Sequence, residues 1–192
     1  MNKVYLTFVF SVTVIFANEG LFKGAFDCKK LATQNFKSFL DSGVSDISPL
    51  GRWANSQGLC LNAADNMFML TLNNNVLAVF KAYQNLGFAF AEAAAFNASD
   101  WLGLDLVPYT QVKRFVDVEG VQKNGSAIVW VDHIYSKLPA SISELRTRIG
   151  EDQFAKMQIF YFLLGQYDRH FGNQVVYNCD GEVRVGLIDN GA

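Results

Sequence analysis

Basic charge is in short supply: sixteen Lys and Arg stand against eighteen Asp and Glu, for a net charge of −2. The basic residues are scattered, with no run of five or more. That excludes a broad nucleic-acid surface and a polybasic membrane patch. Cysteine is sparse too. Cys28, Cys60 and Cys179 form no Cys-x-x-Cys pair and show no metal-ligand spacing. In an oxidising compartment two of them could pair, Cys28 with Cys60 being the expected bridge, with one thiol left over. Three buried thiols in a reducing compartment are the alternative, and both readings stay open. No internal repeat or low-complexity stretch is present, which excludes solenoids and biased linkers.

Long hydrophobic runs are missing as well, save one at the start. Val4 to Phe16 is uncharged and mostly apolar, preceded by Lys3 and followed by the small Ala17 and polar Asn18-Glu19-Gly20. It is short for a membrane span and has the length of a signal-peptide core. The expectation is a signal peptide over residues 1–17 and an exported protein, secreted or in a secretory-pathway lumen, with no transmembrane span in the mature chain. An uncleaved anchor and a buried strand of the domain remain alternatives.

What is present is the makings of a folded interior. The chain is 51% hydrophobic and 18% charged, too apolar for a disordered segment, and its seventeen Phe imply an aromatic-rich core. A length of 192 residues suits one domain plus a removable leader.

Helical patterning is expected over residues 27–40, and a loop from Ser42-Gly43 to Pro49-Leu50-Gly51. Met67–Leu72 and Val76–Phe80 read as two strands of a hairpin, because Asn73-Asn74-Asn75 tolerates the left-handed backbone of a tight turn. Ala89–Leu102, rich in Ala and without Pro or Gly, predicts a helix ending at Gly103. Gln111–Val118 and Ala127–Val131 read as strands, with turns at Glu119-Gly120 and Asn124-Gly125. Ser143-Glu144 opens a helix, and Glu151–Leu164 is a second, apolar one. Gln174–Tyr177 and Glu182–Ile188 close the chain as a hairpin turning at residues 178–181. Strands, helix, strands, helices and hairpin predict an α+β fold.

Chemistry concentrates after the apolar helix. Asp168-Arg169-His170-Phe171-Gly172-Asn173 precedes the closing hairpin, and Ile188-Asp189-Asn190-Gly191 follows it. Neighbouring strands lie about 4.8 Å apart, so a hairpin brings Asn173 and Asp189 to one end of the ribbon, with Asp168 in the loop before it. Hard oxygen donors of this kind suit Mg²⁺ held against substrate phosphates. Each residue also has an ordinary reading: Asp168 or Arg169 as a turn cap, His170 as a structural histidine, Asp189-Asn190-Gly191 as turn residues, Lys81 and Glu92 as solvated charges.

The ordered set Asp-Arg-His-x-x-Asn followed by Ile-Asp-x-Gly resembles the catalytic loop and metal motif of the phosphatidylinositol 3-/4-kinase family. Asp-Asn-Gly is similar to type II phosphatidylinositol 4-kinases and Four-jointed-type secretory kinases. Val76-Leu77-Ala78-Val79-Phe80-Lys81 resembles the strand bearing the ATP-contacting lysine, and Glu92-Ala93-Ala94-Ala95 the glutamate helix. Gly125 to Val131 resembles the strand entering the adenine hinge.

The resemblance implies a two-lobed protein-kinase-like fold, with a small β-rich N-lobe over residues 58–132 and an incomplete helical C-lobe over 133–192, after an N-terminal extension over 18–57. It implies ATP and Mg²⁺ or Mn²⁺ as cofactors. Lys81 and Glu92 would serve the phosphates, Val129 and Val131 the adenine, and Asn173 and Asp189 the metal. Asp168, assisted by His170, would act on the acceptor hydroxyl of a lipid, protein or sugar. The chain departs from the family in two respects. The loop Gly58–Asn66, where a phosphate-covering loop belongs, is poor in glycine, and the sequence stops just after Asp-Asn-Gly, so a fragment and a minimal nucleotide binder are both expected readings. Export adds a requirement for an ATP-supplied lumen or delivery into a host cell. The function expected is phosphoryl transfer from ATP; the alternative is a non-catalytic pseudokinase or exported interaction module.

Overall fold

The apolar runs on either side of Asn73-Asn74-Asn75 pair as an antiparallel hairpin, Met67–Leu72 with Leu77–Ala82, within the main sheet. The computed structural model describes residues 14–15, 43–57, 60–61, 65–73, 76–117, 119–131, 139–166, 170–179 and 181–190. Within them lie nine strands: β1 (Val14–Ile15), β2 (Val44–Pro49), β3 (Cys60–Leu61), β4 (Met67–Leu72), β5 (Leu77–Ala82), β6 (Thr110–Val116), β7 (Gln122–Val129), β8 (Gln174–Cys179) and β9 (Glu182–Leu187). The helices are α1 (Leu50–Ser56), α2 (Leu86–Trp101) and α3 (Ile142–Leu164). The chain is therefore α+β.

The main sheet is antiparallel, in the order β2-β4-β5-β7-β6. Strand β4 is buried on both faces, as its nearly continuous apolar run Met-Phe-Met-Leu-Thr-Leu requires. On one face Phe68, Phe80 and Phe115 interlock, with the Phe80 and Phe115 rings edge-on at 4.3 Å between centroids. On the other, Met67 and Met69 meet Leu50 and Trp53 of α1, and Trp53 packs edge-on against Trp130.

Two expectations need correction here. Residues 42–51 were expected as a loop, yet Val44–Pro49 is the edge strand β2 and Leu50 opens α1. A bulge between Val44 and Asp46 bends β2, and the Ser45 hydroxyl there donates to the Thr71 carbonyl at 3.0 Å. Residues inside the expected extension 18–57 thus belong to the main sheet. Asn124-Gly125 was expected as a turn, yet both lie within β7. The turn of that hairpin is earlier, where the Asp117 carboxylate accepts from the Glu119 and Val121 amides at 3.0 and 2.8 Å.

Helix α2 starts at Asn85, whose side chain accepts from the Gly87 amide, and packs on β6 and β7. Helix α3 starts at Ser141, whose hydroxyl accepts from the Glu144 amide; Glu144 in return accepts from the Ala140 amide. Gly150 breaks its helical geometry at φ 79 and ψ 166, a backbone that only glycine adopts without strain, so two helical stretches meet there. Leu145, Ile149, Met157, Phe160 and Tyr161 of α3 form a core with Leu106, Val107, Val176, Val185 and Leu187.

Strands β8 and β9 form a separate ribbon. The expected helix over 27–40 and the expected leader lie outside the described residues, except that Val14–Ile15 pairs antiparallel with Cys60–Leu61. Among the described residues no helix is long and apolar enough to cross a membrane.

Candidate functional site

Lys81 ends the run Leu77-Ala78-Val79-Phe80-Lys81 on β5, where alternation puts it on the same face as Val79 and opposite Phe80. Its register partner on β7 is Ser126. Above them runs α2, whose buried stripe is Ala89, Glu92, Ala95 and Ser99. Three of those four are small, so the helix lies close to the sheet and the Glu92 carboxylate reaches the strands.

The result is a buried ionic cluster. The Lys81 ammonium donates to Glu92 Oε1 at 2.8 Å and to Asp189 Oδ1 at 2.8 Å. The Lys81 and Glu92 side chains are 9% and 2% exposed, and that of Asp189 is 22%, so the cluster opens to solvent on the Asp189 side. The Tyr83 hydroxyl donates to Glu92 Oε1 at 2.9 Å, and the Ser126 hydroxyl to Glu92 Oε2 in a short hydrogen bond. Burial works to lower the Lys81 pKa, but the charges of Glu92 and Asp189 and their hydrogen bonds outweigh it, and the ammonium is held above its ordinary value. Burial, with the same two carboxylates, pushes the Tyr83 hydroxyl up. At neutral pH Lys81 is therefore a cation and Tyr83 a donor.

Asp189 reaches this cluster from the closing ribbon. The register Gln174↔Leu187 continues one step further, where the Ile188 amide donates to the Asn173 carbonyl at 2.9 Å. Asn173 and Asp189 consequently flank the same end of the ribbon. Asn173 is buried at the end of the 3-10 turn Phe171–Asn173. Asp189 has φ 60, a left-handed backbone that costs a non-glycine residue about 1–2 kcal/mol. Next to it, the Asn190 side-chain Nδ2 donates to the Leu187 carbonyl at 3.0 Å, closing a local loop over Asp189.

One short segment sets the distance between α2 and the ribbon. The Ser99 hydroxyl on α2 accepts from the Leu106 and Val107 amides at 2.9 and 3.3 Å. The Leu106 carbonyl then accepts from the Leu187 amide at 2.7 Å, and Arg184 reaches Asp105 at 2.6 Å. Glu92 and Asp189 are thus carried by elements stapled to a common segment.

Of the expected site residues, the structure brings Lys81, Glu92 and Asp189 into contact and sets Asn173 beside the last. His170 caps the 3-10 turn, its Nδ1 accepting from the Gly172 amide at 3.0 Å. Val129 lies on the face of β7 opposite Ser126. Its side chain and that of Val131 are buried with Val175 and Tyr177, in a core apart from the ionic cluster. Asp168 lies outside the described residues, as does most of Gly58–Asn66.

Tyr83 and Ser126 escaped the sequence reading. Tyr83 stands two residues beyond Lys81, so strand alternation alone would have placed it on the lysine's face. Ser126 falls in the strand that the resemblance gives over Gly125–Val131, but nothing local to it shows that its register partner is Lys81.

The donor set decides which ion fits. Among the described residues no group of three or more His, Cys, Asp or Glu forms a closed metal cage. Asp189 and Asn173 could offer one carboxylate and one amide oxygen, fewer than a metal needs without phosphate oxygens and water. In comparisons with known proteins, the chain matches no family model and no curated protein.

Proposed function

We propose that this chain is an ATP-dependent phosphotransferase of the phosphatidylinositol 3-/4-kinase-like type, with a two-lobed kinase-like fold, that moves phosphate to a hydroxyl on a lipid, protein or sugar. The observation that carries this reading is the Lys81 ammonium bridging Glu92 on α2 and Asp189 on the closing ribbon at 2.8 Å each. The sequence motifs supply the rest.

In this reading Lys81, fixed by Glu92, meets phosphate oxygens with a charge that burial has not removed. Asp189 and Asn173 would hold Mg²⁺, which when bound neutralises charge on the phosphates. Asp168 orients the acceptor hydroxyl and takes its proton. His170, with Nδ1 committed to the Gly172 amide, shapes the turn that presents Asn173. Lys81 would keep its two carboxylate partners and give its remaining N–H to a phosphate oxygen, while Asp189 would hold the metal with the oxygen that Lys81 does not use.

One observation favours a second reading, a non-catalytic nucleotide-binding or interaction module. Lys81 joins two carboxylates from separate elements, as the cation of a structural ion cluster would. A pair of variants separates the two. In the phosphotransferase reading Asp168→Ala keeps Mg·ATP affinity and loses phosphoryl transfer, because a base acts on the transition state more than on ground-state binding. Wild-type protein that binds Mg·ATP yet transfers no phosphate to water or to lipid, protein or sugar hydroxyls supports the module instead.

A further inference from the structure

We infer that Ser126 and Tyr83 are positioning residues that pin Glu92 against Lys81, so that α2 is locked to the sheet and the lysine is set before any ligand arrives. This deepens the phosphotransferase reading and rests on it for the meaning of the lysine.

A carboxylate offers about four acceptor sites. Three on Glu92 are filled from three places: Lys81 on β5, Tyr83 just beyond it, and Ser126 on β7. The backbone prepares this cradle. Lys81 and Ser126 are register partners, and the Tyr83 amide donates to the Asn124 carbonyl at 2.9 Å, extending the ladder past the end of β5 so that Tyr83 keeps the face of Lys81. Between them, Gly125 permits a close approach that no side chain would: a Cβ there would lie 1.9 Å from the Lys81 carbonyl oxygen. A single ion pair would leave the Glu92 side chain free to change rotamer. Three donors from a rigid sheet over-determine its position.

The arrangement also economises on the lysine. Because two hydroxyls share the work of satisfying Glu92, Lys81 gives that carboxylate one N–H and Asp189 another. An ammonium carries three donors. Among the described residues the third is the one that remains to meet a phosphate oxygen. Helix α2 is in this view a fixed wall of the site.

The test is a mutant cycle with two readouts. Ser126→Ala and Tyr83→Phe each remove one hydroxyl, and each is combined with Glu92→Ala, which removes the acceptor. In a thermal-shift titration with ATP and Mg²⁺, each single variant should weaken binding roughly tenfold, the size of one hydrogen bond to a charged group. In the Glu92→Ala background the same changes should add less than about twofold, since they act through Glu92. The second readout needs no nucleotide: mass-spectrometric rates of acetylation of Lys81 by an N-hydroxysuccinimide ester, followed against pH. Ser126→Ala and Tyr83→Phe should speed labelling of Lys81 several-fold and lower its pH midpoint, as the buried ammonium loses the close counter-charge, with other lysines unchanged. Full additivity with Glu92→Ala, or unchanged Lys81 labelling in folded variants, overturns the inference. A wild-type chain that ignores Mg·ATP overturns the nucleotide reading alone, and the labelling arm still decides whether Ser126 and Tyr83 pin Glu92.

Discussion

Lys81 and Asp189, 108 positions apart in the chain, meet at 2.8 Å. The contact joins the penultimate residue of β5 to the second residue past β9, and among the described residues it is the only ion pair between the main sheet and the closing ribbon. Asp189→Ala should remove that link while leaving Lys81 paired with Glu92. The expected result is a modest fall in melting temperature, together with loss of Mg²⁺-dependent stabilisation by ATP. In the wild type that stabilisation should reach about 2.7 kcal/mol at ATP near 100 times Kd. An Asp189→Ala protein with undiminished Mg·ATP stabilisation would remove Asp189 from the metal site.

Glu92 is the more deeply buried partner, and its loss should cost more. Glu92→Ala strands the Tyr83 and Ser126 hydroxyls and leaves Lys81 with Asp189 alone. Breaking a buried pair from one side costs about 3–5 kcal/mol, which denaturant unfolding would read as a lower midpoint with unchanged slope. Glu92→Gln keeps the hydrogen-bond acceptor and should cost clearly less. Equal losses for the two variants would show that the charge is what matters.

Alkaline pH should loosen this protein in a defined window. Lys81, Tyr83 and Tyr177 all have folded pKa values above their ordinary ones, Tyr177 being pushed up to about 12 by burial and by Asp105. A group raised in this way retains its proton in the folded state after the unfolded chain has released it. Its contribution is therefore complete below the unfolded value, near pH 10, and is lost as pH climbs through the folded value. Melting temperature measured from pH 8 to 12 should be level at first and fall above about pH 10. Tyr177→Phe should make the fall shallower, and a fall that begins near pH 8 would point to other groups.

Ser99 is predicted to matter more than an alanine-rich helix would suggest. Ser99→Ala withdraws the acceptor from two buried amides, Leu106 and Val107. Each buried donor left unpaired costs about 1–3 kcal/mol. Because the same segment holds β9 through the Leu106 carbonyl, amide exchange at Leu187 should accelerate along with that at Leu106. Acceleration confined to Leu106 and Val107 would show that the staple does not reach the ribbon.

Gly125→Ala should fail more severely than an ordinary strand substitution. The new methyl would meet the Lys81 carbonyl oxygen at 1.9 Å and the Phe80 ring at 2.8 Å, so β5 and β7 must part. Overpacking of this kind costs about 1–3 kcal/mol or more. Gly51→Ala, where nothing lies within 4 Å of the added Cβ, is the matched control and should be near neutral in thermal unfolding.

The local sequence by itself determined the β4–β5 hairpin, α2 and the β8–β9 ribbon, because period-two and helical patterns, Asn-rich turns and caps act between near neighbours. It also put Asn173 and Asp189 at one end of a ribbon, since a hairpin's register follows from its own turn. Tertiary structure decided the remainder. Val44–Pro49, with Ser, Asp and Pro in six residues, has little strand character and is extended because β4 offers an open edge. Asn124-Gly125 has turn chemistry, yet β5 and β6 both pair with it and the ladder overrides the preference. The cluster of Lys81, Glu92, Ser126, Tyr83 and Asp189 depends on which strand lies beside β5 and how closely α2 can approach. Those are non-local contacts, selected by burial of the whole core, and no window of neighbouring residues contains them.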